Sequence, residues 1–155
     1  IGDALFTENP RKILYIAALG EFLIAAEKYD QAEKLLSHNL AINPDNAPLA
    51  MLYADALTKT GDFAAAEAVL TRQSLVRPED VDVWYDLAEV SGLAGNVIGV
   101  HRSRAEYYAL HGAYQQAIQH LEYARRLADR NNSPLVARLD QRIVDFQTAL
   151  RIARS

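Results

Sequence analysis

One pattern of residue types occurs twice in this chain, thirty-four positions apart. The stretch EKYDQAEKLLSHNLAINP, residues 27–44, is matched by GDFAAAEAVLTRQSLVRP, residues 61–78. A repeat of this length indicates that the chain stacks copies of one supersecondary unit, which leaves only a few architectures open. The aligned pairs are Leu23 and Leu57, Tyr29 and Phe63, Ala32 and Ala66, Leu36 and Leu70, and Pro44 and Pro78.

The residue types inside each copy indicate a pair of helices. A small residue late in the unit, an aromatic residue three positions before it and a closing proline form the tetratricopeptide (TPR) pattern. Ala32 and Ala66 let the second helix approach the first, while Pro44 and Pro78 end the second helix. Only 7 glycines and 5 prolines among 155 residues also favour helices. We therefore predict an all-α fold, a right-handed superhelical TPR solenoid of antiparallel helix pairs with a C-terminal capping helix.

Helix signals along the chain predict a single TPR domain over residues 1–155. Asn46 and Asp80 are expected to cap the helices that follow them, and Asn9-Pro10 and Ser133-Pro134 are expected to begin helices. Residues 1–8 are expected to be the tail of another element. The predicted helices are 10–26, 30–42, 47–60, 63–75, 80–94, 97–111, 114–129 and 134–152. The predicted repeats are about 13–46, 47–80, 81–97 with a shared helix at 97–111, and 112–131, before the capping helix at 134–152.

The register of the repeat changes in the second half of the chain. HGAYQQAIQHLEYARRL, residues 111–127, matches the pattern best, so residues 97–111 must end one unit and begin the next. Val100 stands where that unit should have a small residue. The last helix has one apolar face and one polar face, as a capping helix requires. The polar face, expected to be solvated, carries Arg138, Asp140, Gln141, Arg142 and Arg151.

The chain carries no pattern typical of catalysis, so we predict that it is not an enzyme and binds no metal. It has no cysteine, and His38, His101, His111 and His120 form no HExxH motif, so we interpret them as polar surface side chains. The formal net charge of -4 disfavours nucleic acid as a partner, because binding phosphate needs a basic face. No apolar run approaches the roughly 20 residues of a membrane span, so we expect no membrane insertion.

Acidic residues occupy one position of each predicted first helix, where a TPR unit lines its concave groove. Glu21, Asp55, Glu89 and Glu106 hold that position, with Met51, Tyr85 and Arg102 beside them. The pattern predicts a groove for a mixed apolar and basic segment, and disfavours the clamp for C-terminal carboxylates, which needs Lys, Arg and Asn. Alternatively, the four acids are ordinary solvated helix positions. Leu75 is a second candidate surface, or else an ordinary contact between repeats.

A family resemblance rests on three stretches: WYDLAEVSGLAGN, RAEYYALHGAYQQAIQHLEYARRL and ARLDQRI. Together they resemble the C-terminal TPR region of BepA-type periplasmic zinc metallopeptidases, most specifically between Trp84 and Ile143. The resemblance implies a periplasmic arm that docks a zinc metallopeptidase onto the outer-membrane protein assembly machinery and its client outer-membrane proteins. The implied zinc lies in the peptidase domain, which is itself an expected partner of the arm. No catalytic residue carries over to this chain.

A second hypothesis is a free-standing TPR scaffold or co-chaperone with no enzyme attached. The chain begins at Ile1 without a methionine or a signal-like stretch, so we expect it to be a piece of a longer protein. An HExxH helix behind a secretory signal upstream would favour the peptidase arm. A lipid-anchoring signal or an immediate start would favour the scaffold.

Overall fold

The computed structural model describes residues 10–155, and all of its regular structure is helical. Asn9 and the predicted element over residues 1–8 lie outside the described residues. None of the helices in the described part has both the length and the apolar character that crossing a bilayer requires. The helices are α1 (Pro10–Ala25), α2 (Tyr29–Ile42), α3 (Ala47–Lys59), α4 (Phe63–Val76), α5 (Val81–Leu93), α6 (Val97–Leu110), α7 (Tyr114–Arg130) and α8 (Val136–Arg154).

Every predicted helix is present, and each end lies within two residues of its predicted position. Side-chain caps explain much of this agreement. The Asn46 carboxamide oxygen accepts a hydrogen bond from the Leu49 amide at 3.1 Å, and the Asp80 carboxylate accepts one from the Asp82 amide at 3.0 Å. The largest difference is at α8, which begins two residues after Pro134, although the Ser133 hydroxyl still accepts a hydrogen bond from the Leu135 amide.

The turns between paired helices require a left-handed backbone conformation at one repeat position. Gly61 and Gly95 hold that position with φ of 84° and 79°, each two residues after the last residue of the preceding helix. In the first repeat the position is Glu27, with φ of 58°. A residue with a Cβ pays a steric penalty in this region that glycine avoids. The first turn is therefore the strained member of an otherwise glycine-based series.

The chain divides into two compact units, with the boundary in the sequence between Pro78 and Glu79. In the first unit, α3 packs against α1, α2 and α4, and α1 packs against α2. Gly20 lies so close to α2 that an added Cβ would come within 3.0 Å of a Leu36 methyl group. This close approach explains why α1 has its smallest residue at that place. The central buried residues are Ile16, Leu23, Ala32, Leu36, Leu49 and Ala56.

In the second unit, α6 packs against both α5 and α7, and α8 packs against α7. Ala105 and Ala117 are fully buried, so α6 and α7 carry their small residues on faces inside the core. Phe146 of α8 fills the far side of the same core and lies 6.0 Å from the Tyr114 ring. The assignment of α6 to two repeats at once stays a prediction. The buried cluster consists of Ala105, Ala117, Leu121, Ala124, Ala128, Leu139 and Phe146.

We expect Glu27→Gly to stabilise the fold, because glycine removes the penalty of the left-handed conformation. The gain in free energy of unfolding should be about 1 kcal/mol, which chemical denaturation would measure. Glu27→Ala keeps the Cβ and should bring no such gain. Equal effects of the two substitutions would show that the Glu27 side chain, rather than its backbone, limits stability.

We expect Ala66→Leu to destabilise the protein by about 1–3 kcal/mol, because Ala66 has no exposed surface and a larger side chain overpacks the helix pair. Ala64 lies on the same helix but is exposed, so Ala64→Leu is the matched control and should cost little. Thermal melts of the two variants provide the measurement. A larger loss for Ala64→Leu would contradict the repeat register.

Candidate functional site

The predicted groove of the first unit carries two exposed carboxylates at equivalent repeat positions. Glu21 lies on α1 and Asp55 on α3, two helices that pack against each other. Within residues 10–155, neither carboxylate makes a hydrogen bond or an ion pair. Met51 is half-buried one turn before Asp55, on the same side of α3. This face therefore offers uncompensated negative charge next to a polarisable apolar side chain.

The second unit repeats this arrangement on α5. Tyr85 is 54% exposed, and Glu89, one turn later, is exposed and makes no hydrogen bond or ion pair to the described part of the chain. The Tyr85 ring lies 5.9 Å from the Tyr107 ring of α6, which holds it against the neighbouring helix. An aromatic ring fixed in this way gives a contact surface that loses little conformational freedom on binding.

Glu106 differs from the other three acids because its charge is compensated. Both Glu106 carboxylate oxygens accept hydrogen bonds from the Arg142 guanidinium of α8, with Nε–Oε distances of 3.1 and 2.9 Å. The Glu106 side chain is only 17% exposed. These hydrogen bonds, and a further one to Asp145, raise the pKa of Arg142. Glu106 therefore joins α6 to the capping helix and adds no free negative charge to a groove.

Arg102 lies one turn before Glu106 and belongs to the same charged cluster. Burial lowers the pKa of the Arg102 guanidinium, the positive charge of Arg138 lowers it further, and Glu106 opposes both effects. The cluster thus brings together α6 and α8 side chains that the sequence pattern placed on separate surfaces. Arg102 and Glu106, though predicted to line the groove, lie beside α8 arginines.

The polar face of α8 is largely exposed, as predicted, but two of its side chains also pair with residues of neighbouring helices. Arg142 binds Glu106, and its guanidinium also lies 4.4 Å from the Phe146 ring centre. Asp140 accepts a hydrogen bond from the Arg125 Nε at 2.5 Å. Long charged side chains can span neighbouring helices, and such contacts depend on packing that a helix pattern does not encode.

His101 and His120 are not the isolated surface side chains that the sequence predicts. Both are half-buried, and their Nδ1 atoms lie 2.9 Å apart. The centroids of the two rings are 5.2 Å apart. This equals roughly the Nδ1–Nδ1 distance plus the radius of each ring, so both nitrogens lie close to the line that joins the two centroids. This is the geometry of an N–H···N hydrogen bond, in which one ring donates and the other accepts.

Tyrosine rings enclose the histidine pair on both sides. Tyr108 stacks on His120 at 5.3 Å, and Tyr123 stacks on His101 at 5.4 Å. Burial lowers the pKa of both imidazoles, and the positive charge of Arg104 lowers both further. The pair is therefore held neutral and joins α6 to α7. Within residues 10–155 no three His, Asp or Glu side chains form a group able to hold a metal ion.

The outer face of α1 is apolar and exposed, a feature that the sequence reasoning missed. Tyr15 is 68% exposed and Phe22 is 64% exposed. Their repeat equivalents on α3, Leu49 and Ala56, have no exposed surface, because α1 and α2 cover them. An alignment of the first two repeats is the signal that could have identified this face. It places large apolar residues of α1 at the positions that are buried on α3, whereas within the described residues no repeat precedes α1 to bury them.

Leu75, the second candidate surface, is the most exposed large apolar side chain of the described residues, at 78%. It lies in the last turn of α4, beside the partly exposed Val76. Its exposure makes it available for a contact, while its role stays a prediction.

Comparison with known proteins supports the TPR assignment. Residues 23–90 match the family model described as tetratricopeptide repeat. No curated protein sequence matches the chain. Among solved structures, the chain is similar to MamA 41-end from Desulfovibrio magneticus RS-1, with a TM-score of 0.57 and 14% identity over 86% of this chain and 75% of that one. It also resembles the structure titled MamA MSR-1 C2, with a TM-score of 0.48 and 20% identity over 75% of this chain and 76% of that one.

The predicted fold class, an all-α TPR fold of antiparallel helix pairs, is confirmed. Repeat proteins of this type expose extended surfaces that bind proteins or peptides, and their folds are typically non-catalytic. The described residues thus form a TPR fold, a class whose members generally bind proteins or peptides.

The histidine pair predicts a pH dependence of stability. Folding lowers the pKa of both imidazoles below the ordinary value of 6.5, so the unfolded chain binds more protons. The stabilising contribution is complete above that value and is lost as the pH falls below it. Thermal melts from about pH 7.5 to about pH 5 should therefore show a falling melting temperature.

The double variant His101→Gln with His120→Gln provides the control for this effect. The two glutamines cannot titrate, so the melting temperature of this variant should fall less between the same two pH values. His38 and His111 are exposed and remain in both proteins, so any effect of these two residues is the same in both. An identical fall in the two proteins would show that the pair does not control the pH dependence.

Proposed function

We propose that this TPR module binds a polypeptide segment in which Lys or Arg residues alternate with apolar residues. The single observation that carries the proposal is the set of exposed, uncompensated carboxylates Glu21, Asp55 and Glu89 at equivalent repeat positions. Within each unit, uncompensated carboxylates attract a basic segment and raise its association rate. Met51 and Tyr85 supply apolar contact beside the charges.

The charge pairing of Glu106 refines this proposal. Three of the four acids carry free negative charge, while the fourth is held by Arg142. Positive charge from Arg102 and Arg138 lies close to Glu106, so a basic segment gains little there. The proposed binding face therefore consists of Glu21, Met51 and Asp55 in the first unit and of Tyr85 and Glu89 in the second, and it excludes Arg102 and Glu106.

For the biological role, we propose the arm of a BepA-type periplasmic zinc metallopeptidase that docks onto the outer-membrane protein assembly machinery and its clients. The support is the resemblance between Trp84 and Ile143. The exposed apolar face of α1, with Tyr15 and Phe22, is suited to contact the peptidase domain, which would hold the zinc. The location would then be the periplasm. A gene that continues upstream of Ile1 into an HExxH helix behind a secretory signal would support this role.

A pull-down comparison of charge-reversal variants tests the binding face. The double variant Asp55→Lys with Glu89→Lys should capture less partner from an envelope extract than the parent chain, because it repels a basic segment. Tyr85→Ala should also capture less, through loss of apolar contact. Circular dichroism confirms that each variant remains folded.

The matched control is Glu79→Lys with Glu122→Lys, two exposed positions outside the proposed face that change the net charge equally. This control should capture as much as the parent. Loss of capture only with Leu75→Ala would move the site to the end of α4. Undiminished capture by every folded variant would mean that the carboxylates are ordinary solvated positions.

A further inference from the structure

A small apolar pocket lies on the first unit, away from the proposed binding face. It has a volume of about 350 Å³ and is framed by α2, α3 and α4. This volume lies at the lower end of the range for ligand pockets, about 300–1,000 Å³. It therefore suits one large side chain better than a drug-sized molecule. The aliphatic part of the lining consists of Leu40, Ala41, Pro44, Ala50, Ala68 and Val69.

Gln73 supplies a polar group in the wall of this pocket. The residue is only 1% exposed, and its Oε1 atom has no hydrogen-bond partner within the described residues. A buried carbonyl oxygen without a donor costs free energy that a simple apolar residue would avoid. Because Oε1 itself is enclosed, a contact with a donor in the pocket requires rotation of the carboxamide about its last torsion, for which glutamine has a broad preference.

The equivalent position of the preceding repeat also holds a buried amide. Asn39 stands thirty-four residues before Gln73 and is also buried. Its carboxamide nitrogen donates to the Leu35 carbonyl oxygen at 2.8 Å, within its own helix. This bond pairs the Asn39 nitrogen, whereas at Gln73 it is the buried oxygen that has no partner within the described residues.

A second, polar hollow of about 280 Å³ lies next to the pocket, and Tyr53 lines both. Its other lining residues are Asp30, Glu33, Lys34 and Ser37. These residues continue through Leu40 and Ala41 at helical spacing, so both hollows lie along one face of α2. We call this face, with Tyr53, the α2 groove. Its two halves are about 10 Å apart along the helix, the length of about three extended residues.

The polar half of the α2 groove is negative. Asp30 and Glu33 outnumber Lys34, the one basic residue in its lining. Burial raises the pKa of the Tyr53 hydroxyl, and the negative charges of Glu33 and Asp62 raise it further. At the apolar end, Asp45 and Arg72 form an ion pair at 2.9 Å and so compensate each other. An extended ligand would therefore meet an apolar pocket at one end and negative charge at the other.

We propose that the α2 groove binds a short extended peptide segment of a partner protein. An apolar side chain of the segment enters the pocket, an adjoining N–H donates to Gln73 Oε1, and a Lys or Arg about three residues away lies beside Asp30 and Glu33. This site is separate from the proposed binding face of α3. Ala50 and Tyr53 share one side of α3, whereas Met51 and Asp55 share another.

Titration of the full chain with blocked tetrapeptides, followed by NMR, tests this proposal. The probes are acetyl-Leu-Gly-Gly-Lys-amide and its reversed sequence, with acetyl-Leu-Gly-Gly-Glu-amide and acetyl-Ala-Gly-Gly-Lys-amide as controls. One of the first two should bind with a dissociation constant of about 1 mM and shift the signals of the Gln73 side chain and Val69. Each control should bind about tenfold more weakly.

Variants of the pocket separate its apolar and polar parts. Ala68→Trp should fill the pocket and weaken binding about tenfold, whereas Ala64→Trp, exposed on the same helix, should not. Gln73→Met keeps the length of the side chain but removes its hydrogen-bonding groups. It should weaken binding and leave the melting temperature equal or higher. Asp30→Asn with Glu33→Gln should abolish the preference for Lys over Glu in the probe.

Several results would overturn the proposal. Probe-induced shifts absent from the α2 groove, or unchanged by Ala68→Trp, would show that the pocket takes no side chain. If Gln73→Met binds the probe as tightly as the parent, Gln73 Oε1 accepts no hydrogen bond from the ligand. If the Lys and Glu probes bind equally, the negative half of the α2 groove does not recognise the ligand. Because Asp55 and Glu89 are untouched in all these variants, the outcome is independent of the proposed binding face.

Discussion

Contact between paired helices at fully buried alanines is the constraint on which the rest of this structure depends. Ala32 and Ala66 in the first unit, and Ala117 and Ala124 in the second, have no exposed surface. At such close packing, a helix that rotates or slides would bring larger side chains into the same space. The alanines therefore fix which face of each helix is buried, and by exclusion which faces are left to bind a partner.

Features that depend on neighbouring residues could be predicted from the sequence. The period of thirty-four gives the helix pairs, and local caps such as Asn46 and Asp80 give their starts, because these signals act within a few residues of one another. The exposure of Asp55 and Glu89 also follows from the repeat, since the register assigns each helix position to a face. What the register leaves open is whether those charges are compensated.

Contacts between distant residues could not be predicted. Glu106 and Arg142 are thirty-six positions apart, and His101 and His120 are nineteen apart. Each residue alone is an unremarkable polar residue on a helix, and only the packing of α6 against its neighbours makes the pairs. The apolar face of α1 is an intermediate case. Tyr15 and Phe22 are visible in the sequence, but their exposure follows only when the buried α3 equivalents are known.

The two buried amides show how one methylene group separates a structural residue from a candidate binding residue. The shorter side chain of Asn39 reaches a carbonyl oxygen of its own helix, so its amide nitrogen is paired within the chain. Gln73 holds the same repeat position, yet its Oε1 has no partner within residues 10–155. A buried polar atom without a hydrogen bond breaks a general rule of protein structure, and such exceptions often occur at functional sites. If stability alone had selected this residue, an apolar side chain of the same length would serve better. A ligand in the neighbouring pocket would compensate the free-energy cost of the unpaired oxygen.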